Sequence, residues 1–263
     1  MIKKNRLVKI SAALAIGVLA TATSAYADTV FSVQYFAAPT GVGDFHNGGV
    51  PTDGVSDTNY VTSTLGPNGL PVFVGAGFNN DGGQTLAPGA SYLDSNNQIL
   101  YWTPGQNGIV SAGSGTIDFT TNPTVSMFVA APLNPDPGTN SAYEETAILT
   151  GTFSTSGAST PISFTVGADD EAFVYLDGQL IETLAGIHGL SPGPSSTVDV
   201  AAGPHTVQIF YADQDVTNAQ LSFSETVGTS VTIGPAVPEP STFIMLGTGL
   251  LGAAGTLRRR IRR

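Results

Sequence analysis

Alternation of apolar and polar residues, interrupted by a tight-turn motif, constrains this chain more than any other feature. Residues 162–166 (Ile-Ser-Phe-Thr-Val) follow the period-two pattern of a half-buried β-strand, and residues 173–176 (Phe-Val-Tyr-Leu) are apolar throughout. We therefore expect the second segment to lie inside a sandwich. Asp177-Gly178 predicts a two-residue primed turn, because both positions need positive φ angles, and residues 179–183 should return as a hairpin strand.

Similar short apolar segments, separated by Gly- and Pro-rich turns, recur along the rest of the chain. Strands are predicted at residues 29–37, 70–78, 147–153 and 206–211, with Glu144-Glu145 just before the third of these. The length of 263 residues, less the terminal signals described below, suits one large domain with a real core. The pattern predicts an all-β fold, an antiparallel β-sandwich over residues 28–230.

The charge distribution excludes several classes of function. From residue 10 to residue 257 the chain has no Lys or Arg, and its net charge is −11. Nucleic-acid binding relies on Lys and Arg that displace counterions, so nucleic acid is excluded as a partner. The chain has no Cys, which excludes disulfides and thiolate zinc sites. Because residues 10–257 have no Lys or Arg to pair with the carboxylates, metal ions and water must screen their charge.

Three consecutive carboxylates, Asp169, Asp170 and Glu171, lie between the strand predicted at 162–166 and the apolar segment 173–176. Such a cluster is costly unless it is solvated or bound to a metal ion. Contiguous carboxylates suit a hard cation such as Ca²⁺, which takes six to eight oxygen ligands. A solvated acidic turn is the alternative, and the residues themselves leave both interpretations open.

A family resemblance favours the metal. Residues 168–181, 186–189 (Gly-Ile-His-Gly) and 203–213 resemble the fibro-slime branch of the PA14-like β-sandwich domains, and residues 43–45 and 65–73 are similar to its early segments. The resemblance implies a PA14-like, jelly-roll type of antiparallel sandwich.

In the carbohydrate-binding members of that superfamily, an Asp-Asp pair in this loop holds a Ca²⁺ ion that binds sugar hydroxyls. Asp169 and Asp170 match that pair. Where the fibro-slime pattern usually has an acidic residue followed by Arg and His, this chain has Asp213, Gln214 and Asp215. Any role of the basic pair is therefore in doubt here, and we expect Asp213 and Asp215 to approach Asp169 as further metal ligands.

Two residues outside the carboxylates are candidates for carbohydrate contact. Trp102, the only Trp, could stack on a sugar ring, although an aromatic residue in an apolar run is more often part of the core. His188 adjoins the acidic loop, and the alternative for it is a packed or surface histidine. No residue pattern indicates a catalytic group.

The N-terminus has the organisation of a secretory signal peptide. Residues 1–9 are basic, residues 10–22 are apolar, and Ala25-Tyr26-Ala27 forms an A-x-A cleavage motif. We expect a signal peptide over residues 1–27, with an apolar helical segment, and cleavage after Ala27.

The C-terminus carries a second signal over residues 237–263, after a linker at 231–236. Pro238, Glu239 and Pro240 precede an apolar segment, residues 241–257, and an Arg cluster. This order resembles the PEP-CTERM sorting signal of Gram-negative bacteria. The resemblance implies a helix that spans the inner membrane transiently and processing by an exosortase near the tripeptide; a permanent anchor is the alternative.

Together these features predict an exported, non-catalytic protein at the cell surface or in the extracellular matrix of a Gram-negative bacterium. The leading hypothesis is Ca²⁺-dependent binding of a polysaccharide or another matrix component. A structural matrix protein without a discrete ligand site, its surface cross-linked by divalent ions, is one alternative. A glycoside hydrolase with a carboxylate pair is another, less favoured because no spacing separates an acid from a nucleophile.

Overall fold

The computed structural model describes residues 29–40, 45, 60–74, 92–127, 142–193, 195–215, 218–227 and 233–235. The predicted signal peptide with Ala25 and Ala27, and the sorting motif with Pro238, Glu239 and Pro240, lie outside these residues, as do the two predicted helices. In the part of the chain that is described, no helix is long and apolar enough to cross a membrane.

The described residues form twelve β-strands. In chain order they are β1 (Val30–Pro39), β2 (Val110–Asp118), β3 (Thr124–Ser126), β4 (Tyr143–Thr155), β5 (Thr160–Asp169), β6 (Glu171–Leu176), β7 (Gln179–Leu184), β8 (Ser191–Pro192), β9 (Ser196–Val200), β10 (Gly203–Ala212), β11 (Gln220–Val227) and β12 (Gly234–Pro235).

These strands form two antiparallel sheets. The larger has the order β2-β1-β4-β10-β6-β7, with β12 also pairing with β4, and the smaller has the order β3-β11-β5-β8, with β9 also pairing with β5. The predicted all-β, antiparallel fold is confirmed. Residues 234–235, assigned above to a linker, add a short strand to the larger sheet through Gly151 and Thr152.

The first apolar core lies between the two sheets. Ile162, Phe164 and Val166 of β5 are fully buried, as the period-two pattern predicts. They belong to one cluster with side chains of the larger sheet, among them Leu149, Val174, Ile209 and Tyr211. Burial of this cluster holds the two sheets together, because each sheet has only one face that it can bury there.

A second apolar core covers the outer face of the larger sheet. Segments 60–74 and 92–109 supply most of the cover, which packs on residues of β1, β6 and β10. Members of this cluster include Tyr60, Phe73, Tyr101 and Trp102 from the cover, and Phe173, Tyr175 and Phe210 from the sheet. Strand β6 is therefore buried on both faces, which explains why residues 173–176 are apolar without alternation.

The central hairpin is confirmed. Asp177 and Gly178 have φ angles of 51° and 76°, as a two-residue primed turn requires, and β7 pairs with β6 after it. The predicted strand at 70–78 is wrong in its described part: residues 72 and 73 form only isolated bridges, to Gln98 and Val61. The apolar run there belongs to the cover, where burial does not require a regular ladder.

The turn also holds an ion pair that makes stability depend on pH. His205 Nδ1 lies 2.6 Å from Asp177 Oδ2, and its Nε2 lies 2.8 Å from the Ala201 carbonyl oxygen. Burial alone would lower the pKa of His205, but these bonds and the Asp177 charge outweigh it, so that the pKa is raised. The stabilisation is complete below the ordinary pKa of about 6.5 and is lost as pH rises through the higher folded value.

We expect His205→Gln to be less stable than the wild type at pH 5.5, with a difference that shrinks as pH rises above 7. Thermal unfolding at several pH values measures this, with Asp177→Asn as the partner variant. Because Asp177 is 48% exposed, 0.5 M salt should weaken the effect. A difference that stays constant from pH 5.5 to 8.5 would contradict this assignment.

Candidate metal centre

The acidic segment Asp169-Asp170-Glu171, which precedes the central hairpin, is the point where the chain crosses from one sheet to the other. Asp169 is the last residue of β5 in the smaller sheet, and Glu171 is the first residue of β6 in the larger sheet. Asp170 joins them, and the peptide bond between Asp169 and Asp170 is cis. A crossing within one residue places both aspartates at the same end of the sandwich.

The Asp170 carboxylate ties two other segments to this crossing. Its Oδ1 accepts a hydrogen bond from the His188 backbone N–H at 2.8 Å. Its Oδ2 accepts bonds from the backbone N–H groups of Gln214, at 2.8 Å, and Asp215, at 3.2 Å. Asp170 therefore fixes the Gly-Ile-His-Gly segment and the segment after β10. These bonds hold well because hydrogen bonds to an ionised carboxylate are among the stronger ones in proteins.

The pairing of β10 with β4 brings two further acidic segments to the same place. Ala212 pairs with Thr146, and beyond it the Asp213 N–H donates to the Glu145 carbonyl oxygen at 2.8 Å. Asp213 and Asp215 thus lie beside Asp169 and Asp170, as expected from the sequence. Burial is the main reason why the pKa of Asp169 is raised, and the negative charge of Asp215 raises it further, so these groups act on one another.

We call the following six residues the acidic cluster: Glu144, Glu145, Asp169, Asp170, Asp213 and Asp215. The first five are buried, with 0–6% of their surface exposed, and Asp215 is partly buried. The solvated acidic turn that the sequence left open is therefore not what the structure shows. Glu171 is buried as well, and its Oε1 accepts a hydrogen bond from the Gly186 N–H at 3.4 Å.

Burial makes the ionised forms of these carboxyl groups unfavourable. It raises the pKa of Glu144 to about 9, helped by the negative charges of its neighbours in the cluster, and the pKa of Asp169 to about 6. Burial is also the main reason why the pKa values of Asp170 and Asp213 are raised. Residues 10–257 contain no Lys or Arg, so no positive side chain of this kind is present there to lower these pKa values.

The donor set suits a hard cation such as Ca²⁺. Carboxylate oxygens from three chain segments meet here, and Ca²⁺ completes its shell with carbonyl oxygens and water. Within the described residues, no group of three or more His, Asp or Glu side chains is already arranged so that it could hold a metal ion. Binding of an ion would therefore require side-chain rotation, or ligands from backbone and water.

The two carbohydrate candidates are both buried. His188 is 4% exposed, and its Nδ1 donates to the Gly189 carbonyl oxygen at 3.0 Å. Trp102 is 3% exposed, packs against Phe210 and Phe173, and donates from Nε1 to the Tyr211 carbonyl oxygen at 2.7 Å. The structure thus makes Trp102 a residue of the second core, and its role in carbohydrate contact stays a prediction. It lines a cavity of about 650 Å³ together with Asp94 and Gln106.

The sequence pattern does not indicate Glu144 and Glu145 as members of the acidic cluster, or the burial of Gln214 beside it. The sequence pattern predicts a strand over residues 147–153 with Glu144 before it, whereas β4 begins at Tyr143 and includes both glutamates. Glu144 and Gln214 are fully buried. The available signal was the apolar Ala142-Tyr143 immediately before the glutamates, which is compatible with an earlier start of the strand.

Comparison with known proteins identifies the C-terminal segment. Residues 236–260 match the PEP-CTERM protein-sorting motif, which confirms the motif predicted around Pro238, Glu239 and Pro240. The motif indicates an exported protein that is sorted to the cell envelope or surface. No curated protein matches the sequence.

Several solved structures are similar to this one. They include a PA14 sugar-binding domain from an RTX adhesin (27% identity, TM-score 0.31, covering 37% of this chain and 55% of that one) and the PA14 domain of the MpAFP antifreeze protein (16%, 0.29, 39% and 57%). Another is the epithelial adhesin 9 A domain from Candida glabrata in complex with Galβ1-4GlcNAc (11%, 0.33, 80% and 84%). The matches span little more than half of the length of the two PA14 chains.

The raised pKa of Glu144 predicts a dependence of stability on pH when no cation is bound. Between the unfolded pKa of about 4.3 and the folded value of about 9, the folded protein holds a proton that the unfolded chain has released. Stability therefore falls as pH rises through this window. Glu144→Gln cannot ionise, so in chelator the variant should lose less stability than the wild type between pH 5 and pH 8.5.

Chemical denaturation at both pH values measures the effect. The difference in unfolding free energy between variant and wild type should change by at least about 1.4 kcal/mol, the equivalent of one pKa unit. Asp199→Asn, at an exposed position outside the acidic cluster, is the control. Parallel pH curves for wild type and Glu144→Gln would show that Glu144 does not titrate in this window.

Proposed function

We propose that this protein is an exported, non-catalytic β-sandwich that binds polysaccharide through Ca²⁺ held by the acidic cluster. Asp169 and Asp170 provide the principal ligands, and Asp213 and Asp215 complete the shell with carbonyl oxygens and water. The observation that carries the proposal is the burial of these carboxylates in a chain segment without Lys or Arg. A divalent cation is the simplest partner that would offset their charge.

The carboxylate ligands are held from several directions. Asp169 and Asp170 are fixed by the crossing between the sheets, while Asp213 and Asp215 are fixed by the end of β10. Backbone N–H groups orient Asp170 in the manner of outer-shell partners that position metal ligands. The ion would supply positive charge and open coordination positions, and the carboxylates of the protein would hold the ion in place.

Polysaccharide is the ligand class that fits the sequence resemblance and the sorting motif together. Sugar hydroxyls can replace water on Ca²⁺ in the PA14 superfamily, to which residues 168–213 show resemblance. The PEP-CTERM motif directs the protein to the surface, where exopolysaccharide is available, and exosortase would process its C-terminal segment near the motif. One such site is weak, but many copies on a surface bind a polymer with high avidity.

The burial of the carboxylates favours binding over glycoside hydrolysis. Hydrolysis needs two carboxyl groups that flank the scissile bond, about 5–9.5 Å apart, in a cleft that the sugar can enter. Asp169, Asp170 and Asp213 are each at most 6% exposed, which disfavours direct contact of two of them with a glycosidic bond, whereas binding through Ca²⁺ requires the sugar to reach only the ion. A purely electrostatic matrix protein would need only its exposed carboxylates, so the burial of five members of the acidic cluster favours a discrete site.

Calorimetric Ca²⁺ titration of the purified full chain tests the proposal. Asp169→Asn/Asp170→Asn should lose stoichiometric Ca²⁺ binding, and Ca²⁺ should raise the melting temperature of the wild type but not of the variant. Asp118→Asn/Asp199→Asn removes the same charge outside the acidic cluster and should behave like the wild type. A glycan array in Ca²⁺ and in EDTA then tests sugar binding.

Two results would contradict the proposal. Weak, multi-site Ca²⁺ binding that is the same in both double variants would indicate a diffuse polyanion and favour the structural matrix alternative. Glycan binding that persists in EDTA would separate sugar recognition from the acidic cluster. Circular dichroism of each variant shows whether it is folded before either result is interpreted.

A further inference from the structure

The hydrogen bonds within the acidic cluster divide its oxygens into two groups. Asp170 already accepts three backbone N–H groups, and Asp169 accepts one from Leu190. Glu144, in contrast, is fully buried, and neither of its carboxylate oxygens has a hydrogen-bond partner among the described residues. A carboxylate in this position is costly, because it has lost water and gained nothing in exchange.

Protonation of Glu144 does not remove the difficulty. The protonated group carries an O–H donor, and neither oxygen of Glu144 has a hydrogen-bond partner among the described residues. The charges nearest to Glu144 are those of Asp215, Asp170 and Glu145, and all are negative. The described residues therefore do not supply the partner that this carboxylate lacks, and a bound cation would supply one.

Two neighbours of Glu144 share this property. Asp213 is fully buried with Oδ2 unpartnered, and Gln214 is fully buried with neither atom of its amide paired in the described structure. The bond from the Asp213 N–H to the Glu145 carbonyl oxygen holds this segment beside the start of β4. Four unpartnered oxygens, two from Glu144 and one each from Asp213 and Gln214, thus come from two adjacent chain segments.

We propose that Glu144, Asp213 and Gln214 form a second site for a hard divalent cation of the Ca²⁺ type, beside the one at Asp169 and Asp170. Two carboxylates and an amide oxygen are the ligands that such a cation prefers. The backbone N–H of Asp213 bonds to the start of β4, and the next two N–H groups, of Gln214 and Asp215, bond to Asp170, so this segment adjoins both positions. This proposal goes beyond the proposed function, which needs only one ion.

The number of ions bound per chain tests the proposal. The purified full chain is stripped with chelator, dialysed against CaCl₂, and analysed by equilibrium dialysis and native mass spectrometry. We expect two Ca²⁺ ions for the wild type, one for Glu144→Gln, and one at most for Asp169→Asn/Asp170→Asn. Glu182→Gln, which changes a buried carboxylate of β7 outside the acidic cluster, should keep two.

A second variant guards against misfolding of the first. Gln214→Met keeps the approximate shape and removes the amide oxygen, and it should weaken the second ion at least about tenfold while leaving the first unchanged.

The outcomes separate this inference from the proposed function. One ion in the wild type, lost in the Asp169/Asp170 double variant, would overturn the second site and leave the proposed function standing; buried water would then satisfy Glu144. Two ions in Glu144→Gln would equally overturn it. No stoichiometric Ca²⁺ in the wild type would overturn both.

Discussion

The burial of several carboxylates without any Lys or Arg is the constraint on which the rest of this structure depends. Even after relaxation, moving one ionised carboxylate into a protein interior costs several kcal/mol. A typical domain has only about 5–15 kcal/mol of stability in total, so the five buried members of the acidic cluster cannot all be ionised without compensation. Either protons or cations must therefore occupy this end of the sandwich, and the choice between them depends on pH and on the ions available.

The fold creates this cluster through connections that serve packing. β5 and β6 belong to different sheets, and the chain passes between them at Asp170 without a longer loop. The same end of the sandwich receives the start of β4 and the end of β10, which are paired with each other. Apolar residues on these strands determine the pairing register. That register places the acidic residues, which lie at the strand ends, close together. The site is thus positioned by rigid elements, which favours precise placement of ligands.

Local patterns in the sequence were sufficient to predict the hairpin and the alternation of β5, because the turn chemistry and the period of a strand depend on neighbouring residues only. The approach of Asp213 and Asp215 to Asp169 was expected from the sequence and is found in the structure. Their role as metal ligands stays a prediction. Trp102 shows what a local pattern does not reveal. An aromatic residue in an apolar run looks the same in a sequence whether it faces solvent or the core, and Trp102 is buried.

The burial of Glu144, unlike its position in a strand, could not be predicted from the sequence because it has a non-local cause. Thr146, two residues further along β4, donates from its hydroxyl to the Tyr101 carbonyl oxygen, so this face of the strand lies under the cover formed by segment 92–109. Side chains two residues apart on a strand point to the same face, which places Glu144 on the covered face as well. The sequence around Tyr101 does not indicate which strand it covers. The cover that stabilises the outer face of the larger sheet thereby removes Glu144 from water. The same packing that completes the second core thus buries a carboxyl group that a proton or a cation has to neutralise.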